Sequence, residues 1–487
     1  MKESVFTTSS YGYTLILGLG ETGLAAAHWY LQQHLPIRVA DTRLHYQVKT
    51  EALAHQYNDV AIDVVLGAEA LDPNVLTGIQ TVVISPGLAP TDPQVAHLLS
   101  LAKRQGISVI SEIELFARAL TDLARTGYRP TVFGVTGTNG KTTVVQLTKY
   151  MLQEAGQSVL AAGNISPAAL SALAEAYAQQ QLPDYWIIEL SSFQLEHTFS
   201  LALQAGVVLN ISQDHIDWHG SMQAYIAAKA HLFSMCQHVI VNRDDPITFA
   251  MPTAEMQVQS FGLDQPVTAC DIGLGLNQEQ EWIALSTVQT GALEYVLPIS
   301  ALALTGRHNI SNALAALSLL RTTGLDWDAL LHALRNYHGE PHRCQFVRMV
   351  QGVSFINDSK GTNVGATVAA IEGLGRSMVL IAGGVGKDQD FTPLADAVAQ
   401  SACRAVILIG RDAALLARAF EALTIPVVLA MNLTQAVQQA FEFSQAGDTV
   451  LLSPACASLD MFSNYIDRGH QFVDAVTELA LDKGEVA

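Results

Sequence analysis

The stretch Thr131–Thr143, with the sequence TVFGVTGTNGKTT, combines residue types that hold phosphate. Its apolar start predicts a buried strand, its glycine-rich middle predicts a turn, and the residues from Lys141 onward predict a helix. Backbone N–H groups and the positive end of a helix bind phosphate in this arrangement. Lys141 can neutralise phosphate charge, and the Thr142 hydroxyl can bind Mg²⁺. Val135 stands where the strict pattern has its first glycine, so an ordinary glycine turn is the alternative. We predict a protein that binds ATP or GTP with Mg²⁺.

A second glycine-rich turn, GLGETG, runs from Gly18 to Gly23 between an apolar run and an alanine-rich segment that predicts a helix. With Asp41 roughly 20 residues further on, it fits the dinucleotide-binding pattern. Three interpretations stay open, namely an NAD site, a UDP-sugar site and a plain strand-to-helix turn. Arg43 favours a partner that carries phosphate. Because ligands bind at the carboxyl ends of parallel strands, we expect one crevice lined by Glu21, Thr22, Asp41, Thr42, Arg43, Ser85, Pro86 and Gly87.

Three further side chains are candidates for a metal site. Glu189 ends an apolar strand, where a buried carboxylate needs a partner or a metal ion, and Mg²⁺ prefers such oxygens. A helix cap or a salt bridge is the alternative for Glu189. His215, in the segment QDHIDWH, is either a ligand or a solvated loop residue. Lys229 lies on a predicted helix almost free of charge, a position typical of a surface lysine with a solvated ammonium group.

The composition limits the class of protein. The chain has 487 residues, which predicts about two to four domains. Hydrophobic residues make up 49% and charged residues 15%, which favours large cores over disorder. The formal net charge of −19 argues against a surface that coats nucleic acid. The five cysteines are scattered, and no segment predicts a signal peptide or a membrane span. We therefore expect reduced thiols and a cytoplasmic location.

These motifs need elements that position them. Strands and helices alternate along the chain, which predicts mostly parallel sheets with helices on both faces. In the last third, the predicted strands end in small and polar residues, as in 357–363, 383–387 and 453–460. We predict an α/β protein of three domains, each a mostly parallel, doubly wound sheet. The domains are a Rossmann-like domain over 1–110, a P-loop-ATPase-like domain over 111–340 and a second Rossmann-like domain over 341–487.

Further motifs complete an ordered set along the chain. They are GTNGKT from Gly137, ELSSFQLE from Glu189, Asp214-His215, HNxxNA from His308, His342-Arg343 and NDSK from Asn357. Others are GLGETG from Gly18, ADTR from Ala40, SPG from Ser85, GGVGK from Gly383 and SPACASLD from Ser453. In this order the set resembles the ATP-dependent Mur ligase family. The resemblance covers all three predicted domains, and the ordered set is specific although each motif alone is modest.

The resemblance implies an ATP-dependent amide ligase of cytoplasmic peptidoglycan precursor synthesis, and hence a role in cell-wall biogenesis, cell shape and cell division. Its substrates would be ATP, D-glutamate and UDP-N-acetylmuramoyl-L-alanine, with Mg²⁺ as cofactor. ATP would convert a carboxylate into an acyl phosphate, which the amine of D-glutamate attacks. The Asp-Asn-Pro-Arg signature that a sister ligase uses for diaminopimelate or lysine is absent, which favours D-glutamate. We expect a monomer without nucleic-acid or membrane partners.

The resemblance also implies roles for individual residues. The residues expected to contact ATP are Gly137, Thr138, Asn139, Gly140, Lys141, Thr142, Thr143, Asn309, Asn312, Arg343 and Asp358. Catalytic roles fall on Lys141, Asn164, His215, Lys229 and Lys360. Metal binding falls on Thr142, Glu189, His215 and Lys229, the last as a carbamylated lysine. Besides the crevice above, substrate contacts fall on Ser191, Thr362, Lys387, Ser458, Leu459 and Tyr465, and the family pattern has Phe in place of Tyr465.

Other functions remain open from the sequence. A sister ligase would add L-alanine, a third residue or the terminal dipeptide instead. Folylpolyglutamate synthetase shares the ATP domain, but the separate N-terminal domain argues against it. An NAD-dependent dehydrogenase would use the turn at Gly18, but it has no use for a second nucleotide loop at Gly137. A non-catalytic nucleotide switch would bind ATP without forming an amide.

Overall fold

A computed structural model of the chain describes residues 13–287, 292–304, 306–386 and 389–485. In its first part, strands β1 to β5 alternate with helices α1 to α3. The strands are β1 Thr14–Leu17, β2 Ile37–Asp41, β3 Ile62–Leu66, β4 Thr81–Ile84 and β5 Ser108–Ile110, and the helices are α1 Glu21–Gln32, α2 Gln47–Gln56 and α3 Pro93–Arg104. Among these described residues, the strands form one parallel sheet in the order β3-β2-β1-β4-β5. The loop from Gly18 to Gly20 therefore lies at the carboxyl end of the central strand.

The middle part of the chain holds a larger, mixed sheet. Its strands are β6 Thr131–Thr136, β7 Val159–Gly163, β8 Tyr185–Glu189, β9 Leu203–Val208, β10 Cys236–Asn242, β11 Val258–Phe261, β12 Ile272–Asn277, β13 Gln280–Ser286 and β14 Leu293–Pro298. The described strands follow the order β14-β13-β12-β11-β10-β9-β6-β8-β7 and are parallel up to β12. Strands β12, β13 and β14 pair antiparallel at one edge. The apolar stretch that begins the phosphate-binding motif thus becomes an interior strand.

Nine helices of this middle part are described. They are α4 Glu112–Ala124, α5 Lys141–Glu154, α6 Ala169–Ala178, α7 Ser192–Leu195, α8 Ile216–His219, α9 Met222–Ala230, α10 Pro246–Phe249, α11 Arg307–Arg321 and α12 Trp327–Asn336. Short 3₁₀ helices, here and in the first part, span Leu44–Tyr46, Gly67–Leu71, Pro73–Leu76, His231–Met235 and Ile299–Ala301.

The last part of the chain forms a third α/β domain. Its strands are β15 Gln345–Val350, β16 Val353–Asn357, β17 Met378–Gly383, β18 Cys403–Ile409, β19 Val427–Leu429 and β20 Thr449–Leu452, and its helices are α13 Val364–Leu374, α14 Thr392–Gln400, α15 Ala413–Ala419, α16 Leu433–Phe443 and α17 Tyr465–Asp482. The described strands run in the order β15-β16-β20-β17-β18-β19, parallel except for β15 at the edge.

Helix α4 follows the first domain directly and is almost wholly buried. Ser111 caps it, because its Oγ accepts a hydrogen bond from the N–H of Glu114 at 3.1 Å. The Phe116 ring then packs edge-on against Trp186 of β8, with centroids 5.1 Å apart. Each such fully buried aromatic ring contributes about 2 kcal/mol or more through the apolar area removed from water. The first and middle domains consequently share one continuous hydrophobic core.

The chain divides into two compact units. Met1–Pro298 and Ala313–Leu334 form one unit, and Ile299–Asn312 and Arg335–Ala487 form the other. The prediction of three α/β domains with mostly parallel sheets is confirmed, with antiparallel strands added only at the edges of the described middle and last sheets. No helix within the described ranges is both long and apolar enough to cross a membrane.

Candidate active site

The predicted phosphate-binding stretch forms a strand, a tight loop and a helix. β6 lies between β8 and β9, and α5 begins at Lys141. Gly137 has a φ of +150°, and a Cβ there would lie 2.9 Å from Leu209 Cβ, so a side chain would not fit. Gly140 caps α5 with a φ of +83°, a left-handed conformation that glycine adopts at little cost. Thr142 is half-buried and Thr143 is buried in the first turn of α5. The loop therefore has the backbone form that binds phosphate at a helix N-terminus.

Two residues that the sequence did not single out hold this loop in place. Asn210, just after β9, accepts a hydrogen bond from the Asn139 N–H at 2.8 Å and donates to the Asn139 carbonyl at 3.1 Å. The Tyr225 hydroxyl lies 2.9 Å from Thr138 Oγ1. Asn210 follows closely after an apolar strand, and this signal could have identified it. Tyr225 lies one helical turn before Lys229 on α9, and that spacing could have linked the two.

Lys141 and Lys229 both point into the loop. The Lys141 ammonium donates to the carbonyl oxygens of Gly137 and Thr138, each at 2.8 Å. Lys229 Nζ donates to the same Gly137 carbonyl at 2.9 Å and to Thr136 Oγ1 at 3.3 Å. Two amines from different helices therefore converge on one backbone oxygen.

Lys229 is buried, with only 2% of its surface exposed, so the surface-lysine interpretation is wrong. The reason is that α9 packs its otherwise uncharged face inward, which carries the side chain under the loop. Burial, followed by the neighbouring charge of Lys141, holds the pKa of Lys229 well below its ordinary value, against the opposing charges of Asp214 and Glu189. A lysine in this position favours the neutral amine.

Glu189 ends β8 inside the protein, with 2% of its surface exposed. Its Oε1 accepts a hydrogen bond from Asn164 Nδ2 at 2.9 Å, and the Asn164 N–H donates to the Glu189 carbonyl at 2.8 Å. Its Oε2 is buried and has no hydrogen-bond partner among the described residues. The catalytic asparagine expected from the resemblance thus lies directly against the expected metal ligand.

His215 lies where β9 has ended and α8 begins, with a φ of +55° that is rare for a residue with a side chain. Its ring is partly exposed, stands edge-on to Phe193 at 4.8 Å, and lies 3.4 Å from an Asp214 oxygen. No role had been assigned to Asp214. Its carboxylate lies against the His215 ring and orients it, and its negative charge opposes the lowering of the Lys229 pKa.

Ser191 caps α7, since its Oγ accepts the Gln194 N–H at 3.2 Å.

The residues present fit Mg²⁺ in one specific respect. An isolated, buried carboxylate oxygen such as Glu189 Oε2 is costly unless it meets a cation or a donor. Among the described residues, however, no group of three or more His, Cys, Asp or Glu side chains could hold a metal ion by itself. A Mg²⁺ ion here would need ligands such as the Thr142 hydroxyl, phosphate oxygens and water, which is how this ion is usually bound with nucleotides.

A cavity of about 250 Å³ opens at the carboxyl end of the first sheet. Its lining includes Asp41, Thr42, Arg43, Ser85 and Gly87, which the sequence had grouped into one crevice. The Asp41 carboxylate accepts hydrogen bonds from the Leu19 N–H at 2.6 Å and from Arg43 Nε and Nη2 at 2.8 Å. Burial alone would raise the pKa of Asp41, but these bonds from Arg43 and Leu19 lower it below its ordinary value. Asp41 therefore stabilises the Gly18–Gly20 loop through Leu19 and holds the Arg43 guanidinium in place.

The other three residues of the expected crevice do not line this cavity. Thr22 and Pro86, with Ser85, line a small second cavity that reaches the middle domain at Trp218. Trp218 Nε1 donates to the Pro86 carbonyl at 3.1 Å. Glu21 lines neither cavity, and its carboxylate accepts a hydrogen bond from Ser166 Oγ at 2.8 Å. The first sheet's loops are thus joined directly to the middle domain.

Asp358 lies buried at the end of β16. Its carboxylate accepts hydrogen bonds from Ser453 Oγ at 2.7 Å and from the Cys344 N–H at 3.2 Å. Burial raises the pKa of Asp358 to about 6, although these bonds and the nearby charge of Arg343 oppose the shift. The structure therefore brings Arg343 and Asp358 together at the end of this strand.

Lys360 follows Asp358 in the same loop. Its ammonium lies 3.9 Å from the centre of the Tyr465 ring. Arg468, fully buried one turn further along α17, donates from Nε to Ser359 Oγ at 3.0 Å and from Nη2 to the Ser359 carbonyl at 2.8 Å. Arg468 was not predicted, although an arginine on the buried face of an amphipathic helix is a signal of such a role.

Three of the remaining predicted residues of the last domain lie in the part of the chain that the structure describes. Ser458 is buried, Thr362 is half-buried, and Leu459 is 73% exposed. Val385 pairs with Ala457, so the backbone leading towards Lys387 lies beside the backbone leading to Ser458. Lys387 itself lies outside the described residues.

Asn309 and Asn312 lie in the first turns of α11, both buried. Asn312 Nδ2 donates to Asn309 Oδ1 at 3.4 Å, so the two amides share one helix face as their spacing predicts.

The fold and the phosphate loop define a nucleotide-dependent α/β enzyme of several domains, with a buried lysine and a buried carboxylate beside the loop. Family models agree in order along the chain. "Mur ligase MurD-like, N-terminal domain" matches residues 12–111, "Mur ligase middle domain" matches 135–320, and "Mur ligase, glutamate ligase domain" matches 342–456. The chain belongs to the Mur ligase family, which is ATP-dependent.

Individual relatives cover nearly the whole chain. The UDP-N-acetylmuramoylalanine–D-glutamate ligase of Bordetella avium is 50% identical over 97% of each chain. The ligase of the same name from Cupriavidus metallidurans is 46% identical over 97% of this chain and 98% of its own. Among solved structures, the MurF ligase of Thermotoga maritima in complex with ADP has a TM-score of 0.58 at 17% identity, over 80% of this chain and 92% of that one. This last likeness shows the fold alone.

Proposed function

We propose that this chain joins D-glutamate to UDP-N-acetylmuramoyl-L-alanine in an ATP-dependent reaction of peptidoglycan precursor synthesis. The observation that carries the proposal is the 50% identity to a UDP-N-acetylmuramoylalanine–D-glutamate ligase over 97% of both chains. The matched families support it, because the N-terminal and C-terminal models are described as MurD-like and as a glutamate ligase domain.

The reaction requires activation of a carboxylate. A carboxylate is a poor acyl donor because oxide is a poor leaving group. Transfer of the γ-phosphoryl group of ATP to the carboxylate of UDP-N-acetylmuramoyl-L-alanine forms an acyl phosphate and releases ADP. The amine of D-glutamate then attacks the acyl carbon, and the tetrahedral intermediate loses phosphate to leave an amide. Because the reacting groups are anions, positioning and neutralisation of charge dominate the catalysis.

The loop Gly137–Thr143 and Lys141 would hold the phosphates of ATP. Lys141 now donates to two carbonyls of this loop, from which it can swing to the phosphate oxygens. Glu189, Thr142 and His215 would hold Mg²⁺, and the unpartnered Glu189 Oε2 supports this assignment. The metal ion would neutralise phosphate charge. Asn164 would keep Glu189 in place through its 2.9 Å hydrogen bond and contact the acyl phosphate.

Lys229 would act as a carbamate. Its burial and lowered pKa favour the neutral amine, whose lone pair can attack CO₂. The nitrogen–carbon bond forms, one proton leaves to solvent, and the product carries a carboxylate in place of the amine. A negative charge on Lys229 would remove the repulsion between two ammonium groups at the Gly137 carbonyl, and it would help to bind Mg²⁺.

The three domains would divide the ligands. We propose 1–110 for the UDP-linked substrate, 111–340 for ATP and 341–487 for the amino acid. The cavity at Asp41, Arg43 and Ser85 supports the first assignment. We propose that Asn309, Asn312, Arg343 and Asp358 contact ATP and that Lys360 is catalytic. Contacts to the other substrates would come from Ser191, Thr362, Lys387, Ser458, Leu459 and Tyr465. We further propose a cytoplasmic monomer.

Phosphate release tests the proposal. The protein is supplied with ATP, Mg²⁺ and UDP-N-acetylmuramoyl-L-alanine, and amino acids are added one at a time. Release with D-glutamate, and not with L-alanine, L-lysine, diaminopimelate or D-alanyl-D-alanine, is expected. Release with another amine would move the specificity to a sister ligase. Absence of release in every pairing, with ATP still bound, would indicate a nucleotide switch.

A further inference from the structure

The aromatic ring of Tyr465 lies against the lysine that follows the Asp358 loop. Lys360 Nζ stands 3.9 Å from the ring centre, well inside the roughly 6 Å at which a cation is attracted to the face of an aromatic ring. Both side chains are half-buried, so water screens this attraction less than it would at the surface.

The backbone of the same helix turn fixes this geometry. The Tyr465 carbonyl accepts a hydrogen bond from Ser359 Oγ at 2.7 Å, and Ser359 is the residue before Lys360. Asn464 caps the helix by accepting the N–H groups of Ile466 and Asp467 at 2.9 and 3.0 Å. The buried guanidinium of Arg468 holds Ser359 from the other side. The residue before Lys360 is therefore hydrogen-bonded to both Tyr465 and Arg468, which keeps Lys360 close to the Tyr465 ring.

We propose that Tyr465 is a positioning residue, whose ring holds the Lys360 ammonium by a cation–π interaction and so orients it for its role in catalysis. This differs from a direct substrate contact by Tyr465, which the family resemblance implied. The inference rests on the proposed function for the role of Lys360, whereas the contact between the two side chains stands independently of it.

The kinetic test changes the electron density of the ring without changing its shape. Y465F is the reference, and 4-fluoro- and 3,4,5-trifluorophenylalanine are then introduced at position 465. Fluorine withdraws electrons from the ring face and weakens its attraction for a cation. The expected result is a graded fall in kcat, about fivefold for the trifluoro ring, while the KM for D-glutamate changes less than about twofold.

The matched control places the same fluorinated residues at Phe443, an exposed ring at the end of α16, and there kcat should not change. A kcat at position 465 that does not depend on fluorination, or a rise confined to the KM for D-glutamate, would overturn the proposal.

A second measurement does not depend on catalysis. The lysines are reductively ¹³C-methylated, and the Lys360 signal is assigned from its loss in K360Q. Groups above an aromatic face are shifted upfield, so the Lys360 signal should be upfield in the wild type and in Y465F and return to the ordinary position in Y465L. An ordinary position in all three proteins would overturn the contact. If the wild type forms no amide with D-glutamate, the proposed function fails, and this measurement still decides the contact.

Discussion

Lys141 and Lys229 donate to the same backbone oxygen, the Gly137 carbonyl, at 2.8 and 2.9 Å. Two ammonium groups on one oxygen repel each other, and the buried one is the more costly to charge. The loop therefore favours a neutral Lys229, which is the form that reacts with CO₂.

The first prediction concerns this reactivity. Protein equilibrated with ¹³C-bicarbonate should give a carbamate ¹³C NMR signal that K229A lacks. K103Q, which alters an exposed lysine, should keep the signal. Removal of CO₂ and bicarbonate should lower the ligase rate of the wild type, and their return should restore it. A signal of equal size in K229A would mean that Lys229 is not the modified residue.

The second prediction concerns Glu189 and Asn164. E189Q keeps the size of the side chain but removes the negative charge of the carboxylate, whose Oε2 has no hydrogen-bond partner among the described residues. The Mg²⁺ concentration that gives half of the maximal rate should therefore rise, and the rate should fall by at least about 100-fold. N164A removes the bond to Glu189 Oε1 and should cost about 10- to 100-fold. E196Q, at an exposed glutamate, is the control. An unchanged Mg²⁺ dependence in E189Q would remove Glu189 from the metal site.

The third prediction concerns the pH dependence of stability. Burial raises the pKa of Glu112 to about 7, in a position where its Oε1 accepts the Leu170 N–H. A carboxyl with a raised pKa in the folded state stabilises the protein most below its unfolded pKa, and this stabilisation is lost as the pH rises through about 7. The glutamine of E112Q does not titrate, so E112Q does not lose stability in this way. The difference in free energy of unfolding, E112Q minus wild type, should therefore increase by up to about 3 kcal/mol between pH 4.5 and pH 8.

Urea unfolding of both proteins at several pH values measures this difference. E175Q, at an exposed glutamate of the helix that Glu112 contacts, should follow the wild type at every pH. A difference between E112Q and wild type that stays constant with pH would show that Glu112 does not titrate in this range.

The fourth prediction concerns Arg468. Its guanidinium is fully buried and donates to Ser359 and to the Cys456 carbonyl, and burial lowers its pKa to about 10. R468M keeps the apolar stem but leaves buried oxygens without donors, so the free energy of unfolding should fall by about 3 kcal/mol. Denaturant unfolding measures it, with R418M at an exposed arginine of α15 as control. A change as small as that of R418M would mean that water replaces the lost bonds.

The sequence predicted most of the fold because apolar runs and glycine turns are local signals. Helix α5, for example, begins at Lys141, as predicted. The antiparallel pairing of the edge strands β12, β13 and β14 was not predicted, because it depends on contacts between separate segments.

The surroundings of individual side chains were harder to predict from the sequence. From its residue type and helix position, Lys229 is expected to be an ordinary surface lysine. It is buried because α9 packs under the loop, and this contact is not visible in the sequence. Asn210 and Arg468 act through partners far away in the sequence, at Asn139 and Ser359. Such roles follow from tertiary contacts, which residue spacing along one element does not encode.

The most direct measurement follows the oxygen atoms of the activated carboxylate. UDP-N-acetylmuramoyl-L-alanine labelled with ¹⁸O in its carboxylate is incubated with the protein, ATP, Mg²⁺ and D-glutamate, and both products are analysed by mass spectrometry. Activation through an acyl phosphate predicts one ¹⁸O in each released phosphate, together with one D-glutamyl amide for each ADP formed. Unlabelled phosphate, or ADP without the amide, would contradict the proposed reaction.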